Sequence, residues 1–335
     1  MANPVLVELT RGALVESVHR GAVAIAAAEG DIVFSLGDIE TPVYPRSSLK
    51  PIQALPLVES GAADAFGLDD ETIALACASH SGETMHTDRV KDWLAKIGCD
   101  ASDLACGPHP VRHEPTWVAM VKRGEAPTPV HNNCSGKHTG FLTVARHWNV
   151  AIAGYERREH PVQQAVAAAL QNLSGSNGDL AWGVDGCTAP NFALSIAGFA
   201  RAFARLAKPG SLPEPRAAAA RRIVRAMTNY PELVAGTGRA CTVFMRASQG
   251  RVAVKSGAEG YFAAMIPERG LGIALKIDDG AARAGETAMA AILDGLGFLD
   301  AATSCAFLRA PVFNTRGAVV GERRSARALT EATFH

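Results

Sequence analysis

The chain has 335 residues, 48% hydrophobic and 20% charged, and its 33 basic and 33 acidic side chains balance to a formal charge of zero. That is the composition of a soluble globular protein built as one large domain or two intertwined subdomains, and without a basic run it offers no electrostatic case for nucleic acid. No apolar stretch reaches membrane-spanning length, and the N-terminal "MANPVLVELTRG" lacks the charged, apolar and cleavage regions of a signal peptide.

The first forty-odd residues read as strands. "VLVEL", "ESVHRGAVAIAA" and "DIVFSLGD" are β-rich, with "AEGD" (28–31) as a hairpin turn. From Ser47 to about Tyr230 apolar residues recur at three- and four-residue spacing, as in "DETIALACAS", "GKHTGFLTVARHW" and "NFALSIAGFARAFARLAK", and predict a run of helices. The basic "RAAAARRIVR" (216–225) reads as the wet face of one of them. After "VAGTGR" (234–239) strands return: "ACTVFMRA", "RVAVKSG", "GYFAAMI" and "GLGIALKI", followed by a last helix, "AARAGETAMAAILDGLGFL". Strands at both ends predict an α+β fold, an antiparallel sheet built from both termini with an inserted helical lobe. The expected lobes are a sheet lobe of residues 1–45 and 231–335, with the C-terminal helix, and a mainly helical lobe of residues 46–230.

Seven cysteines, at 77, 99, 106, 134, 187, 241 and 305, are an odd number scattered over a long chain. They argue for reduced thiols and a cytoplasmic setting rather than a disulfide framework.

The motif "PRSSLKP" (45–51) stands where strand gives way to helix. A serine there can cap the helix, but the positive end of the helix dipole disfavours the cation of Lys50. Ser47 and Lys50, three apart on a helical turn, share a face, and a neutral lysine can take the proton of a serine hydroxyl. S-x-x-K at a helix start is thus either a cap with a surface lysine or a compact acyl-transfer device. Its company favours the second reading. "ASHSGE" (78–83) brings Ser79 and Ser81 directly after a helix, and "VAVKSG" (252–257) closes a strand on Lys255. The order and sheet context match Ser-Lys hydrolases of the penicillin-recognising type, although "SHS" is not their usual S-x-N. In "HNNCSGKHTG" (131–140) and "GVDGCTAPNF" (183–192), Cys134 and Cys187 lie in polar loops, where they can ligate zinc, act as nucleophiles or merely pack.

Taken together, "YPRSSLKPIQALPLVESGAAD", "ALACASHSGE", "HNNCSGKHTGFL", "DGCTAPNFALS", "VAGTGR" and "KSGAEG" resemble the rhizobial-type (class 3, zinc-containing) L-asparaginases, from about residue 4 to the C-terminal helix. The resemblance implies a fold like the serine β-lactamases and glutaminases, and hydrolysis of the side-chain amide of L-asparagine. It implies two catalytic pairs, Ser47 with Lys50 and Ser79 with Lys255, and one zinc ion per chain held by Cys134, Lys137 and Cys187. Arg46 and Asp185 match pocket-lining positions, where a carboxylate can hold an amino group. His138, beside Lys137, either orients the site or is a structural helix residue. A homodimer acting on a small molecule is implied as well, with no nucleic-acid or membrane partner. The alternatives are a glutaminase or other small-amide hydrolase on the same apparatus, a zinc-dependent amino-acid sensor without catalysis, and a penicillin-interactive enzyme.

Overall fold

The computed structural model describes residues 2–334. The chain divides into two compact units: one holds the described residues up to Ser48, Leu194–Lys208 and those from Val243 onward, and the other holds Leu49–Ala193 and Pro209–Thr242. Ten strands occur among the described residues: β1 (Val5–Arg11), β2 (Leu14–Ala27), β3 (Ile32–Leu36), β4 (Trp182–Val184), β5 (Pro190–Phe192), β6 (Ala253–Ser256), β7 (Tyr261–Ile266), β8 (Leu271–Ile277), β9 (Arg309–Phe313) and β10 (Val319–Ser325).

In the first unit the sheet runs β6-β7-β8-β2-β1-β10-β9, and β3 also pairs with β2. Every pairing is antiparallel. The long β2 serves two parts of the sheet. Its first half, with mostly exposed side chains, pairs with β1. Its second half, "GAVAIAA", lies between β8 and β3 (Val23 opposite both Leu275 and Leu36) and is buried on both faces, which is why apolar residues run there without alternation. The two ends of the chain meet where β1 pairs with β10, Val7 opposite Ser325, so the expected sheet built from both termini is what forms.

Helix Ile196–Ala207 lies on one face of this sheet and helix Ala282–Gly295 on the other. Register fixes the faces: Tyr261 stacks edge-on against Phe199, while the next residue, Phe262, points the opposite way towards Gly285. The sequence reading put helix Ile196–Ala207 with the helical lobe. Its side chains are buried almost all round, as suits a helix pressed on a sheet, and its place is in the sheet unit. A second expectation fails outright. "ACTVFMRA" is not a strand but helix Ala240–Ala247, with Cys241, Phe244, Met245 and Ser248 buried at helical spacing. Its Thr-Val-Phe content imitates a strand; packing on one stripe overrides that propensity.

The second unit is helical except for the small β4–β5 hairpin. Helix Ser135–His147 is its axis, buried from Ser135 to Ala145, with Asp70–Ala76, Thr84–Lys96 and Pro161–Ser174 packed around it. Helix Arg216–Asn229 packs on Asp70–Ala76. Its arginines are not merely a wet face: Arg225 reaches Asp70 at 2.9 Å, Arg222 reaches Asp64 at 2.6 Å, and Arg216 grips Glu59 at 2.8 and 2.9 Å. The hydrogen bond from Arg225, opposed by partial burial, holds the Asp70 carboxyl below its ordinary range. A carboxyl depressed in the fold adds stability above its unfolded pKa, near ~3.9, and loses it as pH falls through the folded value. Asp70→Asn is therefore expected to cost about 1 kcal/mol at neutral pH. Urea titrations of the two proteins should converge as pH is lowered below about 4; a gap that persists there would assign the loss to packing instead.

Candidate active site

In the sheet unit, Arg46 opens the single 3-10 turn Arg46–Leu49 at φ 51°, a left-handed conformation that a non-glycine residue holds only when its surroundings impose it. The next two serines part company. Ser48 is fully buried and donates its hydroxyl to the Lys255 carbonyl at 3.0 Å, so it caps no helix; Ser47 keeps some exposure. Strand β6 can end against this turn because residue 257 has no side chain: a Cβ there would stand 2.3 Å from the Pro45 carbonyl oxygen. Lys255, 1% exposed, turns its ammonium to the Ser256 carbonyl at 2.8 Å.

In the helical unit, Lys50 begins helix Lys50–Gln53 and is 1% exposed, which rules out a surface lysine. Its Nζ donates to the carbonyls of Ala78 and Asn133 and to Ser79 Oγ at 3.0 Å. Two carbonyls thus anchor the amine and leave its third direction on a hydroxyl. Ser79 is presented by the loop that follows helix Asp70–Ala76, its own N–H bound to the Val234 carbonyl at 2.9 Å. The observed Ser-Lys hydrogen bond of this unit therefore joins Lys50 to Ser79, whereas the resemblance paired Lys50 with Ser47.

The same unit gathers Cys134, Lys137 and Cys187, all buried. Cys134 precedes helix Ser135–His147, and Lys137 rises from its first turn. Cys187 sits in the turn between β4 and β5, where Thr188 is held at φ 73°, a costly state for a β-branched residue, by bonds to the Asp185 and Ala105 carbonyls. Lys137 Nζ lies 2.9 Å from Cys187 Sγ. A hydrogen bond from Cys134 and the Lys137 ammonium, working against burial, push the Cys187 thiol down to about 4. The same hydrogen bond and burial push the Cys134 thiol up to about 12. The two thiols are thus unequal acids, Cys187 being the more readily deprotonated. Two sulfurs and, once Lys137 has lost its proton, one amine nitrogen suit a thiophilic ion such as zinc, with a fourth tetrahedral position left over. No cluster of three or more His, Cys, Asp or Glu side chains among the described residues offers a metal site without the lysine.

Asp185, half-buried, stands in the same turn as Cys187 and accepts from the Gly186 N–H at 2.6 Å. His138 is completely buried. The Tyr155 hydroxyl accepts from the Ala105 N–H at 2.9 Å and is hydrogen-bonded to His138 Nδ1, 2.7 Å away. Burial holds the imidazole pKa well down, so the ring is neutral and acts as a strut between the axial helix and Tyr155.

Over residues 7–325 the sequence matches the family profile described as L-asparaginase II. The chain belongs to the L-asparaginase II family. It is accordingly an amidohydrolase. Solved structures similar to this L-asparaginase II family member include a crystal structure of Mglu, 15% identical with a TM-score of 0.48 over 84% of this chain and 67% of that one. Mglu in its tris and glutamate form is likewise 15% identical, with a TM-score of 0.48, over 84% of this chain and 60% of that one. A β-lactamase from Mycobacterium bovis is 14% identical with a TM-score of 0.45 over 82% of this chain and 94% of that one. The family member thus spans between 60% and 67% of these Mglu chains. No curated protein sequence matches it, and no helix among its described residues is long and apolar enough to cross a membrane.

Sequence reasoning missed what surrounds the Ser79 loop of this amidohydrolase. His80 is buried, its Nε2 2.9 Å from Ser135 Oγ and its ring stacked on His86, so it locks the Ser79 loop to the axial helix. Glu83 accepts from Ser81 Oγ at 2.5 Å, from Thr237 N at 2.9 Å and from Thr237 Oγ1 at 2.7 Å. Arg112 and Arg239 lie on segments bonded to that same loop. For Glu83 the signal lay in "SHSGE", two residues beyond the second serine; lone loop arginines give none.

Proposed function

We propose that this amidohydrolase is an L-asparaginase, releasing ammonia from the side-chain amide of L-asparagine and leaving L-aspartate. Family membership supports the reaction class, and the observation that carries the reading is the buried Lys50–Ser79 hydrogen bond beside an S-x-x-K turn. Ser47 attacks the amide carbon and gives up its proton to the neutral form of Lys50, whose lone pair is freed when its bond to Ser79 is released, while backbone N–H groups at the turn steady the oxyanion. Ser79, in hydrogen-bond reach of Lys50, relays the proton towards departing ammonia, and Lys255 adds positive charge. Water then hydrolyses the acyl-serine. The Asp185 carboxylate holds the substrate's amino group, and the family resemblance gives Arg46 a substrate-binding role as well. Ammonia assays with L-asparagine and L-glutamine side by side test the assignment; release from neither amide overturns it, and faster release from glutamine moves it to a glutaminase.

Cys134, Lys137 and Cys187 would hold one zinc ion. Bound there, zinc supplies a fixed positive charge that orients the substrate. Elemental analysis of purified protein is expected to find about one zinc per chain, falling at least ~10-fold in Cys187→Ala, because two remaining donors do not fill a structural site. Equal zinc in both proteins would remove Cys187 from the ligand set. A cytoplasmic setting belongs to the same proposal, seven free cysteines being suited to a reducing compartment, as does the homodimer that the family resemblance implies.

A further inference from the structure

We propose that Arg112 and Arg239 form the seat of the substrate's α-carboxylate, an assignment that rests on the amino-acid amide reading above. Both arginines belong to the helical unit, and one short loop anchors both. The N–H groups of Arg112 and His113 donate to the Ser81 carbonyl at 3.0 and 3.2 Å. The turn carrying Arg239 is fastened through Thr237, whose N–H and hydroxyl both go to Glu83, and through the Arg239 N–H bound to the Gly236 carbonyl at 3.3 Å. Glu83 in turn receives the Ser81 hydroxyl. The loop that presents Ser79 therefore fixes the backbone of both arginines.

Neither guanidinium has a carboxylate partner among the described residues, unlike Arg216, Arg222 and Arg225 of the same unit. Partial burial and the neighbouring Arg239 hold the Arg112 pKa below its ordinary value, with Cys134 acting the other way. Arg112 thus feels Arg239 as a like charge and Cys134 as an opposite one, and the geometry that brings the two arginine segments together is their common anchorage on the Ser81–Glu83 loop. Arg112 is solvent-exposed and Arg239 half-buried. Two adjacent arginines without an acid between them are relieved by a bound anion, and their planar forks match a carboxylate. Glu83 is not that anion: its carboxylate accepts from Ser81 and Thr237, and the basic side chain found within 4 Å of it is His113, at 3.9 Å, rather than either arginine. With Asp185 assigned to the amino group, the arginines supply the second charge needed to recognise an amino acid rather than a plain amide.

Two amides separate the parts of this claim: L-asparagine, and 3-aminopropanamide, which keeps the amine and the amide but lacks the carboxylate. In Arg112→Gln and Arg239→Gln, KM for L-asparagine is expected to rise ~10- to 100-fold each, the range for loss of a charge-assisted hydrogen bond. The preference for L-asparagine over 3-aminopropanamide, measured as substrate or as competitive inhibitor, should collapse by a similar factor. A merely structural role would weaken both compounds alike and leave the preference intact, which overturns the proposal, as does an unchanged KM. If the wild-type enzyme releases no ammonia from L-asparagine, the asparaginase reading falls, and calorimetric titration with L-aspartate decides the arginines alone. Wild-type binding that is lost in the variants upholds the seat; no binding, or equal binding in all proteins, overturns it.

Discussion

Ser47→Ala is expected to lower kcat for ammonia release from L-asparagine by about 10⁵-fold or more, the scale on which serine hydrolases lose turnover when the nucleophile is removed. Three serine hydroxyls compete for the role, and their surroundings rank them. Ser48 is fully buried and spent on the Lys255 carbonyl. Ser79 is 6% exposed and bound to Lys50. Ser47 is the most exposed of the three, directly after a left-handed Arg46. Ser79→Ala removes a proton relay and should cost less, about 10²- to 10³-fold. Since relay and nucleophile act as one unit, the double variant should be scarcely worse than Ser47→Ala. The measurement is steady-state kcat for all three proteins, with mass spectrometry of acid-quenched enzyme to locate an acyl-serine. Reversal of the order, or an acyl group on Ser79, transfers the attack to Ser79 with Lys50 as its base.

The sequence shows best what depends on local pattern. Strand alternation at the N-terminus and "VAVKSG" at the end of β6 are visible because one face or both are buried. Strands β9 and β10 escaped notice because Pro311 interrupts β9, the edge strand, while Gly321 and the arginines at 323 and 324 break the apolar signal of β10 beside it. The serines and lysines of the site could be named from motifs, but their partners could not. Nothing in "RSSLK" says that Lys50 turns to Ser79, 29 residues away, or that Ser48 faces the Lys255 carbonyl, 207 residues away. Such pairings are set when loops are folded onto one another, and a linear pattern does not carry them. Glu83 illustrates the same limit: before helix Thr84–Lys96 it looks like an ordinary acidic helix start, while in the fold its carboxylate ties two loops.

Gly272→Ala is expected to destabilise the sheet unit by about 3 kcal/mol or more, at the upper end for overpacking. Helix Ile196–Ala207 meets β8 backbone to backbone at this point. A Cβ on residue 272 would stand 2.1 Å from the Ala204 nitrogen, 2.2 Å from the Ala200 carbonyl oxygen and 2.7 Å from the Phe203 carbonyl carbon. All three are main-chain atoms of one helix, so no rotamer change relieves the clash. The whole helix must lift, and it carries Phe199 and Phe203, whose rings pack at 4.7 Å, Phe199 also meeting Tyr261 at 5.4 Å. For a chain of this size such a loss lowers Tm by about 4 °C or more, and it is a large part of a typical ~5–15 kcal/mol total. Gly210→Ala is the control, since nothing lies within 4 Å of a Cβ there, and its effect should stay within about 0.5 kcal/mol. Near-UV circular dichroism separates the causes: a lifted helix changes the Tyr261 environment before melting begins. A Gly272→Ala protein that melts with the control would mean that the helix does not lie this close to β8, and would take with it the assignment of Ile196–Ala207 to the sheet.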